Sequence, residues 1–126
     1  MDQDFKGEKW RPIPGFCAAY QVSNYGRIYS VRRGKMLSPE ILKNRMKLIS
    51  GYTRVTLSID NNRTRILVHR ATARAWVPGR TEDKHVDHID NNPTNNRAEN
   101  LRYLTPEENL RRRHYPPKSE DDDLPF

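Results

Sequence analysis

Asp87, His88, Asn100 and Asn109 carry the side chains best suited to chemistry on a phosphodiester. A carboxylate and an amide carbonyl are oxygen ligands of the kind a hard divalent cation such as Mg²⁺ or Mn²⁺ accepts, with water and phosphate completing its shell. Such a cation polarises a phosphate and stabilises a leaving 3′ oxygen. A neutral histidine beside it can take the proton of an attacking water, because its unperturbed pKa is close to working pH. A second amide can hydrogen-bond the imidazole and fix its tautomer and direction. An Asp-His pair alone is more often a surface feature, so the pair gains meaning only from what surrounds it.

The stretch HVDHIDNNPTNNRAENLRYLTPEENL, residues 85–110, orders as strand, polar loop, strand and helix. In such a ββα unit the helix packs across the hairpin, so a residue early in the helix can face the first strand. Alternation sends Asp87 and His88 to opposite faces unless the strand is twisted or bulged. Thr105-Pro106-Glu107-Glu108 is a strong helix start: Thr as N-cap, Pro at the first helical position and Glu at the third. That helix runs through Asn109 towards Arg113.

Upstream, Gly51–Asp60 alternates, with Val55, Leu57 and Ile59 on one side and Arg54, Thr56 and Ser58 on the other. Asn61-Asn62 reads as a turn, and Thr64–Val68 returns as the partner strand. His69–Val77 reads as a short helix built on Ala71, Ala73 and Ala75 and closed by Pro78-Gly79. Earlier still, Tyr20, Val22, Ile28 and Val31 indicate short strands around a Ser23-Asn24-Tyr25-Gly26 turn.

The 126 residues make one domain's worth of chain, 34% hydrophobic and 31% charged. The net charge is +7, although Lys118–Phe126 carries one Lys against four acids. The remaining body is therefore more basic still and suited to a polyanion. Arg32, Arg33, Arg54, Arg63, Arg65, Arg97, Arg102 and Arg111 are expected to line a DNA path as a group. Cys17 is the only cysteine, which excludes a disulfide framework and a cysteine-rich zinc site. The N-terminal MDQDFKGEKW lacks the apolar run of a signal peptide, so a cytoplasmic protein is expected. His69 reads as structural or as a phosphate contact, His85 as an exposed bystander in preference to a substrate-side accessory, and His114 as tail. Trp10, Phe16, Tyr20, Tyr25 and Trp76 read as core.

Residues 85–110 resemble the HNH signature of the His-Me finger (ββα-metal) nucleases: Asp-His on the first strand, Asn-Leu at the second and Asn in the helix. Upstream, Trp10–Ser30, with IPGF and YQVSNYGRIYS, is similar to the modular N-terminal motif found before HNH domains in phage and intron-encoded homing endonucleases. Gly51-Tyr52 and Val68-His69-Arg70 match the same arrangement, so the likeness covers about residues 8–113. It implies Asp87 and Asn109 as metal ligands, His88 as general base and Asn100 as the residue orienting His88. The family often has Gly at or beside Asn92, where asparagine also tolerates a left-handed backbone. Its nicking members carry a further C-terminal helix-turn-helix region.

The final SEDDDLPF resembles the acidic tip of bacterial single-stranded-DNA-binding proteins. That likeness implies Phe126, with Leu124 and Pro125, entering an apolar pocket on a host protein while Asp121, Asp122 and Asp123 meet its basic rim. The expected architecture is α+β: an N-terminal β-rich module at 8–50, a ββα-metal catalytic domain at 51–113 and a disordered acidic tail at 114–126. The expected function is a monomeric, Mg²⁺- or Mn²⁺-dependent nickase of double-stranded DNA from a phage or mobile element, acting in a bacterial cytoplasm. The competing reading is a DNA-binding decoy or recruitment protein working through its tail. An RNA-directed protein fits the charge but lacks a dedicated motif.

Overall fold

Val55 and Leu57 point inward from a strand whose intervening residues point out, and this alternation seeds the central hairpin. The computed structural model describes residues 4–42 and 51–114, without the side chains of 112–114. The tail residues Asp121, Asp122, Asp123, Leu124, Pro125 and Phe126 lie outside the described residues. Strands β6 (Thr53–Ile59) and β7 (Asn62–Leu67) form the hairpin, and β5 (Glu40–Ile41) pairs with the outer edge of β6. Ile59 pairs with Asn62, so the turn residues are Asp60-Asn61 and not Asn61-Asn62. Both have positive φ, 50° and 66°, as a two-residue hairpin turn of the I′ kind requires. Asn62 is thereby the first residue of β7.

The N-terminal segment forms a separate antiparallel sheet in the order β1 (Trp10–Pro12), β2 (Tyr20–Ser23), β3 (Ile28–Ser30) and β4 (Lys35–Met36). Tyr20, Val22 and Ile28 face inward as expected, whereas Val31 falls beyond β3 and is exposed. Helix α1 (Val68–Trp76) follows β7 directly and buries Val68, His69, Ala71, Thr72 and Ala73. Small side chains at 71 and 73 let its backbone approach both sheets. Ile13, Tyr20, Val22 and Ile28 join Val55, Leu57, Ile66, Val68 and Ala71 in one core cluster. Polar anchors cross the same seam: Trp76 Nε1 donates to the Val22 carbonyl at 3.0 Å, and the Tyr20 hydroxyl bridges the backbone of Ser58.

The third unit is the ribbon β8 (His85–His88) and β9 (Leu101–Leu104), followed by α2 (Pro106–His114). His114 thus closes the helix instead of opening the tail. The expected capping box is present: Glu108 N–H donates to Thr105 Oγ1 at 3.2 Å, and Thr105 N–H donates to Glu108 Oε1 at 3.0 Å. We expect Thr105→Ala to lower stability by about 1 kcal/mol, read as a shift in urea midpoint at unchanged slope. A shift below about 0.3 kcal/mol would remove the box as a determinant of α2. No helix among the described residues is long and apolar enough to cross a membrane.

Candidate active site

The β8–β9 register runs without interruption from His85↔Leu104 to His88↔Leu101. With no bulge, alternation directs Asp87 and His88 to opposite faces. Asp87 lies across from Arg102, whose Nε donates to Asp87 Oδ2 at 3.0 Å. His88 points the other way, towards α1, and its ring lies 4.8 Å from that of His69. His88 and Leu101 form the last pair of this two-stranded ribbon.

Between the strands, the polar loop is folded by its own side chains. Asp90 Oδ1 accepts from Asn92 N–H at 2.8 Å and from Asn100 Nδ2 at 2.9 Å, and Asp90 Oδ2 accepts from Asn95 Nδ2 at 2.8 Å. Burial alone would raise the Asp90 carboxyl, but the hydrogen bonds from Asn95, Asn92 and Asn100 hold it below the usual range. Asn100 further accepts from Asp90 N–H at 3.1 Å and donates to the Asn95 carbonyl at 2.9 Å. The left-handed residue of this loop is Asn91, at φ 64°.

These bonds correct one expectation. Asn100 spends its amide on Asp90 and Asn95, so its described role is to close the loop. The amide on the imidazole belongs to Asn96, whose Oδ1 lies 2.8 Å from His88 Nε2 while its Nδ2 donates to Thr53 Oγ1 at 2.7 Å. With the Asn96 amide turned this way its oxygen can only accept, an orientation that selects the His88 tautomer with its proton on Nε2 and its lone pair on Nδ1. Nothing in the sequence separates Asn96 from the other asparagines of NNPTNN.

His69 is the second residue that sequence reasoning undervalued. It is 5% exposed, His88 is 7% exposed, and Tyr52 completes a ring cluster. Tyr52 stacks on His88 at 5.8 Å and 19°, and lies 5.1 Å from His69. Burial, then the charges at His88 and Arg70, push His69 down to about 3. It is therefore a neutral, aromatic wall at working pH. Its Nδ1 has no hydrogen-bond partner among the described residues. The available signal was its place in Val68-His69-Arg70, beside Gly51-Tyr52, in the motif match.

Asn109 sits half-buried just past the first turn of α2, which packs on β8 and β9, and its N–H donates to the Thr105 carbonyl at 2.9 Å. The donors available, the Asp87 carboxylate and the Asn109 amide, are oxygen. They fit a hard divalent cation, which is commonly held by one or two carboxylates together with water and substrate phosphate. Among the described residues, no three His, Cys, Asp or Glu side chains gather as a protein-only cage.

The arginines divide by partner. Arg32, Arg33, Arg63, Arg65 and Arg111 are exposed. Arg54 pairs with Glu40 at 2.5 Å, Arg97 with Glu99 at 3.0 Å, and Arg102 with Asp87. Arg33, Lys35 and Arg54 line a cleft of about 440 Å³ between β4 and β6. His85 is exposed on β8. Tyr20 is buried, and Phe16 and Trp76 pack partly buried against the core. Trp10 meets Tyr29 edge-on, and Tyr25 lies beneath Arg97.

Comparison with known proteins completes the description. Residues 8–58 match the NUMOD4 motif, and residues 67–111 match the HNH endonuclease family. DNA endonuclease I-HmuI of Bacillus phage SP01 is 37% identical over 102 residues, which are 81% of this chain and 55% of that protein. H-N-H endonuclease F-TflII of Escherichia phage T5 is 30% identical over 102 residues, 79% of this chain and 49% of that protein. A solved structure described as DNA binding and cleavage by the HNH homing endonuclease I-HmuI matches with a TM-score of 0.76 at 36% identity, covering 84% of this chain and 57% of that one. The chain spans about half the length of these two relatives.

Proposed function

The chain belongs to the HNH endonuclease family, with residues 67–111 matching that family behind a NUMOD4 motif at 8–58, and we propose that it is a metal-dependent DNA endonuclease. The observation that carries this reading is the ββα unit with Asp87 and His88 at the end of β8, the His88 ring held by Asn96, and Asn109 on the helix that packs against it. Endonucleases of this family generally depend on a divalent metal. Here Asp87 and Asn109 would hold Mg²⁺ or a similar ion, which when bound polarises the phosphate and stabilises the leaving 3′ oxygen.

The chain's own residues supply the rest. His88 Nδ1 takes a proton from water as the water oxygen bonds to phosphorus and the P–O3′ bond breaks. Asn96 keeps the other proton on Nε2. His69 and Tyr52 keep bulk water from one side of the imidazole. Exposed Arg32, Arg33, Arg63, Arg65 and Arg111 hold the DNA backbone, and one such centre per monomer nicks one strand. The setting consistent with this reading is a phage or mobile element acting in the cytoplasm of its bacterial host.

The test is supercoiled plasmid incubated with purified protein in Mg²⁺ and in EDTA. We expect open-circle product in Mg²⁺ and none in EDTA. No cleavage of plasmid, varied-sequence duplex or single-stranded DNA, across Mg²⁺ and Mn²⁺, would overturn the enzyme reading.

A further inference from the structure

The loop that carries Asn96 is braced by the N-terminal sheet. Gly26, in the β2–β3 turn, is buried at φ 86°, and a Cβ there would lie 2.5 Å from the Asn96 carbonyl oxygen and 2.9 Å from its carbonyl carbon and its Cβ. Two of those atoms are backbone, so the loop itself would have to shift. The next residues dock on the same turn: the Arg97 guanidinium lies 4.0 Å over the Tyr25 ring, and Ala98 N–H donates to the Asn24 carbonyl at 2.9 Å. A second glycine repeats the device, since a Cβ on Gly51 would meet Pro93 Cγ at 2.8 Å. Asn96 is 7% exposed, and its amide spans Thr53 and His88.

We propose that the Asn24-Tyr25-Gly26 turn of the N-terminal sheet positions the catalytic histidine, by seating the Asn96 backbone so that its amide oxygen holds His88 in the Nε2–H tautomer. The sheet thus does more than add DNA-facing surface: it is part of the catalytic scaffold, with Asn96 as the positioning residue between the two. The naming of His88 as base rests on the proposed nuclease function, but the placement of its ring by Asn96 and Gly26 does not. A base needs its lone pair on the atom that meets the water, and a ring free to exchange tautomers presents it there only part of the time.

The experiment reads the ring directly. Long-range ¹H–¹⁵N spectra of the histidine side chains, assigned against His88→Ala, report the tautomer in metal-free protein. We expect wild-type His88 as Nε2–H, and a mixture of tautomers in both Asn96→Ala and Gly26→Ala. Asn96→Asp, which keeps the acceptor, should restore Nε2–H. In plasmid nicking, kcat should fall about 10- to 100-fold in Asn96→Ala, and less in Gly26→Ala, with KM for DNA little changed.

An Nδ1–H ring in wild type overturns the proposal. So does an unchanged ring in Asn96→Ala, or an Asn96→Ala effect that Gly26→Ala, folded by its backbone spectrum, does not share. Tautomer changes in a protein that cuts no DNA would uphold the positioning and remove the nuclease reading alone.

Discussion

Replacing His88 by alanine should slow nicking by about 10²- to 10⁴-fold, the usual contribution of a positioned general base. The ring is 7% exposed and packs on His69 and Tyr52, so alanine leaves a gap that could disturb β8. His88→Gln fills more of that gap, and its amide can still meet Asn96, but it has no nitrogen able to take a proton at neutral pH. Both variants should therefore lose a similar factor in single-turnover cleavage while binding duplex DNA with wild-type affinity in a gel-shift assay. Activity of His88→Gln within about threefold of wild type would remove proton transfer by this residue from the mechanism. Loss of binding in step with cleavage would point to a substrate contact in place of a base.

The sequence made the scaffold of this site legible where local rules act alone. The capping box at Thr105 and Glu108, the alternation through Val55 and Leu57, and the β9 limits at Leu101 and Leu104 all follow from neighbours a few positions apart. The hairpin turn shifted by one residue because asparagine and aspartate both accept positive φ. Register, which the side-chain pattern of polar β7 leaves weakly specified, decided it. Asn96 was invisible for a different reason. It becomes distinct from its neighbours only when a buried turn 70 residues away, at Gly26, presses on its backbone. His69 was undervalued because burial and ring contacts with Tyr52 and His88 are tertiary facts, and a histidine near a helix start looks the same without them.

That burial has a thermodynamic consequence. His69 falls from an ordinary 6.5 to about 3, first because burial disfavours its charged form and then because of charge at His88 and Arg70. The unfolded chain binds a proton at this residue near pH 6.5 and the folded chain does not, so unfolding takes up a proton between those two values. The native state accordingly holds its full His69 contribution above about pH 6.5 and loses it as pH falls towards 3. Each pH unit in that window is worth about 1.4 kcal/mol, or about 3 kcal/mol between pH 7 and pH 4.

Glu8 works in the same direction at lower pH. Burial alone would raise it, but hydrogen bonds from Arg27, Ser23 and the Phe5 backbone, with the Arg27 charge, hold it at about 2. Its contribution is lost as pH falls below the ordinary carboxylate range towards 2. The wild-type curve alone therefore mixes the two groups, and a variant is needed to separate them. His69→Phe keeps an aromatic ring against Tyr52 and His88 and cannot ionise. Urea unfolding of both proteins from pH 7 to pH 4 should show wild type losing about 3 kcal/mol more than the variant, most of it before Glu8 begins to titrate. Parallel curves would mean that His69 is protonated in the folded protein, and that the wall beside His88 is wetter than its burial implies.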